Sequence, residues 1–117
     1  VYLLQQIKND FVELNFNLYT MYMKLLRVVK SKKIGKKYDA IFLKDNGKQK
    51  IVSFGQKGAD DFTKTNDIPQ RRRYRNRHKK DLETNDPTRA GYLSFYLLWN
   101  KPTLAESIKD YRKRFNL

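Results

Sequence analysis

A chain of 117 residues with 39% hydrophobic and 14% aromatic side chains fits one folded domain with a real core and does not read as a disordered basic tail. It has no cysteine, which excludes disulfides, zinc fingers and thiol catalysis, and its one histidine, His78, would leave any metal site to carboxylates. The excess of 26 Lys and Arg over 12 Asp and Glu gives a net charge of +14, whose self-repulsion would be relieved by nucleic acid, an anionic membrane face or an acidic protein surface.

Residues 1–22 carry one Lys and two acids, a net −1, so +15 falls on residues 23–117. In this first stretch Leu4, Ile7, Phe11, Leu14, Leu18 and Met21 recur at steps of three and four, the seam of an amphipathic helix. Val12, Leu14, Phe16 and Leu18 also alternate with polar residues, as a strand would. We read helix in the first half and extended chain in the second. The organisation expected is an N-terminal apolar arm, 1–22, ahead of a basic α+β domain, 23–117. Leu4, Ile7, Phe11, Leu14 and Leu18 are the arm's docking residues, against a neighbour or against its own domain. A start of translation at Met21 or Met23 would remove the arm altogether. No run is long and uncharged enough to span a bilayer, and no signal peptide is expected, because the apolar stretch lacks a basic n-region.

From Met23 the pattern turns to strands. Segments 24–30, 38–44 and 49–54 are short apolar runs, the first β-branched near its end, and Asp45-Asn46-Gly47 joins the second to the third as a hairpin turn. A basic loop over 31–37 joins the first two. These predict a three-stranded antiparallel meander. Residues 55–66 read as a loop. Pro69 opens a helix to about Lys80, whose one non-basic stripe, Tyr74, His78 and Leu82, would face the fold. Residues 82–85 read as a connector. Asp86-Pro87 then predicts an N-cap and first residue of an apolar interior helix reaching Trp99, which Pro102 ends. Thr103 and Glu106 form a capping box for a last helix with the stripe Leu104, Ile108, Tyr111 and Phe115, and cations toward its C-terminal end. The fold class expected is α+β: the meander packed with about three helices.

An enzyme needs titratable groups that converge, and few are present. His78 lies one helical turn from Tyr74 and reads as a packed histidine. Asp60 and Asp61 are adjacent, so extended chain points them apart; capping backbone donors or pairing with arginines suits them better than acid–base work. Gly55-Gln56-Lys57-Gly58 lacks the Lys-Ser/Thr of a phosphate loop. We expect no catalysis, no cofactor and no metal. The sharpest functional signal is basic: Arg71, Arg72, Arg73, Arg75, Arg77, Lys79 and Lys80 on one helix, with guanidinium groups on all its exposed faces. Guanidinium grips carboxylate or phosphate with two parallel bonds and tolerates burial at an interface. A second cluster, Lys32, Lys33, Lys36 and Lys37 with Lys30, lies in the first connector. Nothing in the chain reads bases, so any nucleic-acid contact would be to the phosphate backbone.

Several short elements occur together: Ser53-Phe54-Gly55 with Asp61-Phe62-Thr63, Arg77-His78-Lys79-Lys80, Asn85-Asp86-Pro87 with Ala90-Gly91, Leu93-Ser94, Leu97-Leu98-Trp99-Asn100-Lys101-Pro102, and Ser107-Ile108 through Arg114-Phe115. In this combination, from about Met23 to Phe115, the chain resembles a group of small basic proteins of nucleocytoplasmic large DNA viruses, the giant and iridescent-type viruses. Two positions depart from that pattern. Thr65 stands where relatives carry a histidine, which removes most of the case for a metal site, and Phe95-Tyr96 stands where they favour Arg-Trp. The resemblance carries no settled activity with it and implies a viral protein made in the host cell cytoplasm and placed in the virion. The expectation is a minor capsid or cement protein that binds acidic surfaces of capsid subunits through the basic helix and anchors by the arm. Non-sequence-specific binding of the genome's phosphate backbone is the alternative.

Overall fold

Three short apolar segments, the last two joined by an Asn-Gly turn, predict a meander, and the computed structural model, which describes residues 23–117, contains it. Strands β1 (Met23–Lys30), β2 (Lys36–Lys44) and β3 (Gln49–Gln56) pair antiparallel in the order β1-β2-β3. The arm residues Leu4, Ile7, Phe11, Leu14 and Leu18 lie outside the described residues. Pairing sets Leu25 opposite Phe42, and Tyr38 and Ala40 opposite Phe54 and Val52, so one face of the sheet is apolar. The turn at 45–47 is a three-residue loop in which Gly47 alone takes a positive φ of 83°. Its amide donates to Lys44 O at 3.1 Å, and Lys44 N donates to Lys48 O at 2.9 Å. In β1 the register slips between Leu25 and Arg27. The guanidinium of Arg112 donates to the carbonyls of Leu25 and Leu26 at this bulge, at 2.8 and 3.0 Å. Its place at the helix end therefore serves the sheet as well as the helix dipole.

The stretch 55–66, expected to be a loop, holds a one-turn helix, α1 (Phe62–Thr65). Asp61 caps it, accepting from Thr63 N at 2.8 Å and from the Thr63 hydroxyl. Helix α2 (Ile68–His78) follows, capped by Asp67, which accepts from Gln70 N at 3.0 Å, and it starts one residue before Pro69. It stops short of Lys80, because the chain tightens into a 3₁₀ helix over Lys79–Thr84 that takes up the expected connector.

The interior helix begins later than expected. Asp86 Oδ1 accepts from both the amide and the hydroxyl of Thr88, at 3.0 and 2.7 Å, and Arg89 N donates to Asp86 O. Asp86 therefore closes a buried turn instead of capping a helix, a local bond that competes with helix formation. Helix α3 (Ala90–Leu93) starts beyond that turn and widens into a π-helical turn, Ser94–Leu98. Helix α4 (Leu104–Phe115) carries the expected cap: Thr103 Oγ1 accepts from Glu106 N at 3.2 Å.

The core lies between the apolar sheet face and α3, the π turn and α4. Phe42, Phe54, Leu93, Leu97 and Tyr111 are fully buried in it, with Leu25, Phe62, Leu98, Trp99 and Phe115 around them. Gly55, at φ 76°, is the point where β3 meets the π turn; a Cβ there would stand 2.9 Å from Leu98 Cδ1. Among the described residues, no helix is long and apolar enough to cross a membrane.

Candidate anion-binding site

An excess of cations becomes a binding surface only where the protein's own acids are engaged elsewhere, and here most of them are. Asp61, Asp67 and Asp86 hold backbone amides at element starts, and Asp39 holds a loop. Asp60 pairs with Lys64, Asp81 with His78 and Asp110 with Arg114. Among the described residues, Arg72, Arg73, Arg77, Lys79, Lys80, Lys32, Lys33 and Lys36 make no ion pair within the chain.

The arginine helix is not cationic on every exposed face, as its sequence suggests. Arg71 Nη1 donates to Asn100 O at 2.9 Å, with its guanidinium 4.6 Å from the centre of the Phe62 ring. Arg75 Nη1 donates to Trp99 O at 2.9 Å and Phe95 O at 3.3 Å, and lies 4.0 Å over the Phe95 ring. The cause is the end of the π turn. Its last carbonyls have no intrahelical partner and form the negative end of the helix dipole, and α2 brings two guanidinium groups to them. Burial lowers the pKa of Arg75, and neighbouring Arg71 and Arg114 add to that effect. The expected inward stripe holds in part: Tyr74 stacks on Trp99 at 4.4 Å and on His78 at 4.1 Å.

Arg71 and Arg75 are thus fixed, and they are not lost to binding. With Arg72, Asn76, Asn100 and the half-exposed Ile68 they line an open cavity of about 410 Å³. Each guanidinium has five donors, so one nitrogen bound to carbonyls leaves donors to spare. Guanidinium groups so placed have the chemistry to grip a carboxylate or phosphate. Arg73, Arg77, Lys79 and Lys80 are exposed and continue the charge along the helix. The signal in the sequence was the arginine density; the carbonyls that would hold two of them were not visible in it.

The lysine cluster divides in the same way. Lys37 is structural: its Nζ lies 2.5 Å from Asp61 Oδ2 and donates to Ala59 O at 2.7 Å. Lys32 and Lys33 are exposed on the β1–β2 loop, and Lys36 is exposed at the first position of β2. Lys57, which the sequence reading did not single out, joins them, since its amide donates to Gly35 O at 2.9 Å. The hairpin register gives the clue: Lys36 pairs with Gln56, so residue 57 leaves β3 beside the loop.

Asp39 holds this loop in place. Its carboxylate accepts from the hydroxyls of Ser31 and Ser53, both at 2.6 Å, and from Lys32 N at 3.2 Å. The Ser31 and Ser53 bonds, with the Lys32 amide, hold its pKa below the usual carboxylate range against the burial that raises it. A carboxyl depressed in the folded state adds stability above its unfolded value, about pH 4, and that stability is lost as pH falls through the folded value. Thermal unfolding followed from about pH 6 down to about pH 3 should therefore show a steeper loss of Tm for the wild type than for Asp39→Asn. Equal slopes would show that Asp39 is not linked to folding.

Among the described residues, no group of three or more His, Cys, Asp or Glu side chains could hold a metal ion. Asp60 and Asp61 diverge, the first exposed beside Lys64 and the second buried under Lys37. No curated protein and no solved structure matches the chain. Residues 26–78, a little under half of the chain, match a family model described as a family of unknown function (DUF5754), a span that takes in all of the sheet but the first three residues of β1, the lysine loop and the arginine helix.

Proposed function

We propose that this protein is a structural binding protein that grips an acidic surface of a neighbouring protein subunit through α2 and carries out no reaction of its own. The observation that carries the reading is the convergence of Arg71, Arg72 and Arg75 on one open cavity, with none of the three ion-paired among the described residues. Two of these guanidinium groups are held in place beforehand, so an incoming carboxylate loses little entropy in ordering them. Joined to the resemblance to small basic proteins of large DNA viruses, this supports a minor capsid or cement protein of the virion, made in the host cytoplasm and seated on acidic faces of capsid subunits. Arg73, Arg77, Lys79 and Lys80, running outward along the same helix, support a second reading, non-sequence-specific binding of a nucleic-acid backbone.

One set of measurements separates the two. In the cement reading the protein stays with capsid shells emptied of DNA, and Arg72→Glu weakens that association by on the order of tenfold or more without loss of fold, because Arg72 is exposed and holds no structural bond among the described residues. Recovery only with released genome would defeat it. In the nucleic-acid reading, duplex affinity falls linearly with salt on logarithmic axes, and Arg73→Ala and Arg77→Ala each reduce that slope by about one. Absence of duplex binding at moderate salt would remove the second reading.

A further inference from the structure

We infer that the β1–β2 loop is a membrane-touching tip, with Ile34 entering the interface of an anionic bilayer while Lys30, Lys32, Lys33, Lys36 and Lys57 meet lipid phosphates. This goes beyond the arginine socket on α2 and does not depend on it. Ile34 is 98% exposed, against 37% for Leu26, 58% for Ile51 and 52% for Ile68. A single exposed isoleucine on a mobile loop would need no explanation. This one is displayed by a loop that is tied down. Ser31 N donates to Lys37 O, Lys36 N to Lys33 O and Lys57 N to Gly35 O, and Asp39 holds the Ser31 hydroxyl and the Lys32 amide. Gly35, at φ 82°, makes the turn that presents Ile34.

Its surroundings select the partner. The five lysines and Ile34 line one groove of about 430 Å³ together with Tyr38. Two carboxylates that bind this region are engaged inward, Asp39 by Ser31 and Ser53 and Asp61 by Lys37. Unlike the fixed arginines of α2, these are flexible ammonium groups on apolar stems, which can lie along acyl chains while their heads reach the phosphates. An isoleucine at the apex gains nothing at a nucleic-acid backbone, where it stays in water or faces charge. At a bilayer surface the same residue is removed from water and the lysines keep their anions.

The test is co-sedimentation of the full chain with vesicles of phosphatidylcholine alone or mixed with phosphatidylserine at roughly 7:3. The expected result is binding to the mixed vesicles only. Ile34→Ser should weaken it about tenfold, and Lys32→Ala with Lys33→Ala about 25-fold, at about fivefold for each lysine. Ile51→Ser, which removes an exposed isoleucine elsewhere on the sheet, should leave it unchanged. These side chains are exposed, so the variants keep the fold. Failure to bind the mixed vesicles would overturn the inference, as would Ile34→Ser binding as tightly as wild type. Retention on duplex DNA that needs the same two lysines, with vesicles ignored, would overturn it in favour of nucleic acid. None of these outcomes bears on association with capsid shells, so the two proposals stand or fall apart.

Discussion

Lys37→Met will lower stability by about 3–5 kcal/mol, far more than expected for a residue taken from a surface lysine cluster. The Lys37 side chain is 13% exposed and that of Asp61 is 2% exposed, so the pair is shielded from both water and salt. Asp61 has two duties. Its Oδ1 caps α1 through Thr63, and its Oδ2 receives the ammonium that also binds Ala59 O. Without that ammonium a buried carboxylate keeps its amide donor and loses its counter-charge. Methionine matches the lysine stem in length, so the change isolates the charge from the packing. Asp61→Asn should also be costly, since it strands the ammonium and weakens the cap. In the double variant neither charge is stranded, and urea denaturation should find it less damaged than the two single losses added, by on the order of 1–3 kcal/mol. Strict additivity would mean that the pair does not act as a unit.

The same pair shows what could be read in the chain and what could not. The meander was legible because its signal is local: three short apolar runs and a glycine at the αL position of a short turn. The last helix was legible for a similar reason, since Thr103 and Glu106 mark its start and Leu104, Ile108, Tyr111 and Phe115 its inner face. Local signals misled where two local structures use the same residues. Asp86-Pro87 is a good helix opening, yet Thr88 two positions later offers Asp86 both an amide and a hydroxyl, and the turn wins. Long-range partners were not legible. Lys37 stands in a run of lysines and is distinguished from them only by Asp61, 24 residues away. Arg71 and Arg75 read as surface charge because the Phe95, Trp99 and Asn100 carbonyls that draw them inward are set free by a π turn with no pattern of its own. The arginine density was therefore legible on its helix, while the division of that helix into fixed and exposed guanidinium groups came from tertiary contacts.

That division gives the second large effect, a contrast between neighbours. Arg75→Met should lower stability by about 2–4 kcal/mol, whereas Arg72→Met should change it by no more than about 0.5 kcal/mol. Arg75 bridges two carbonyls a turn apart, those of Phe95 and Trp99, while its plane lies on the Phe95 ring. Methionine can keep part of the ring contact but leaves both carbonyls without their charged donor at the negative end of the helix dipole. Arg75→Lys should recover less than half of the loss, because a point ammonium cannot serve two acceptors and stack on a ring at once. Trp99 offers an internal reporter: it stacks on Tyr74 of the same helix, so loosening of this turn in Arg75→Met should shift its fluorescence to the red, while Arg72→Met leaves the spectrum in place. Binding should order the two residues differently. Arg72 is the group to lose for affinity at constant stability, and Arg75 the group whose loss carries both away together. If Arg72→Met and Arg75→Met cost the same in stability and leave Trp99 alike, Arg75 does not hold the turn, and the socket is not pre-positioned.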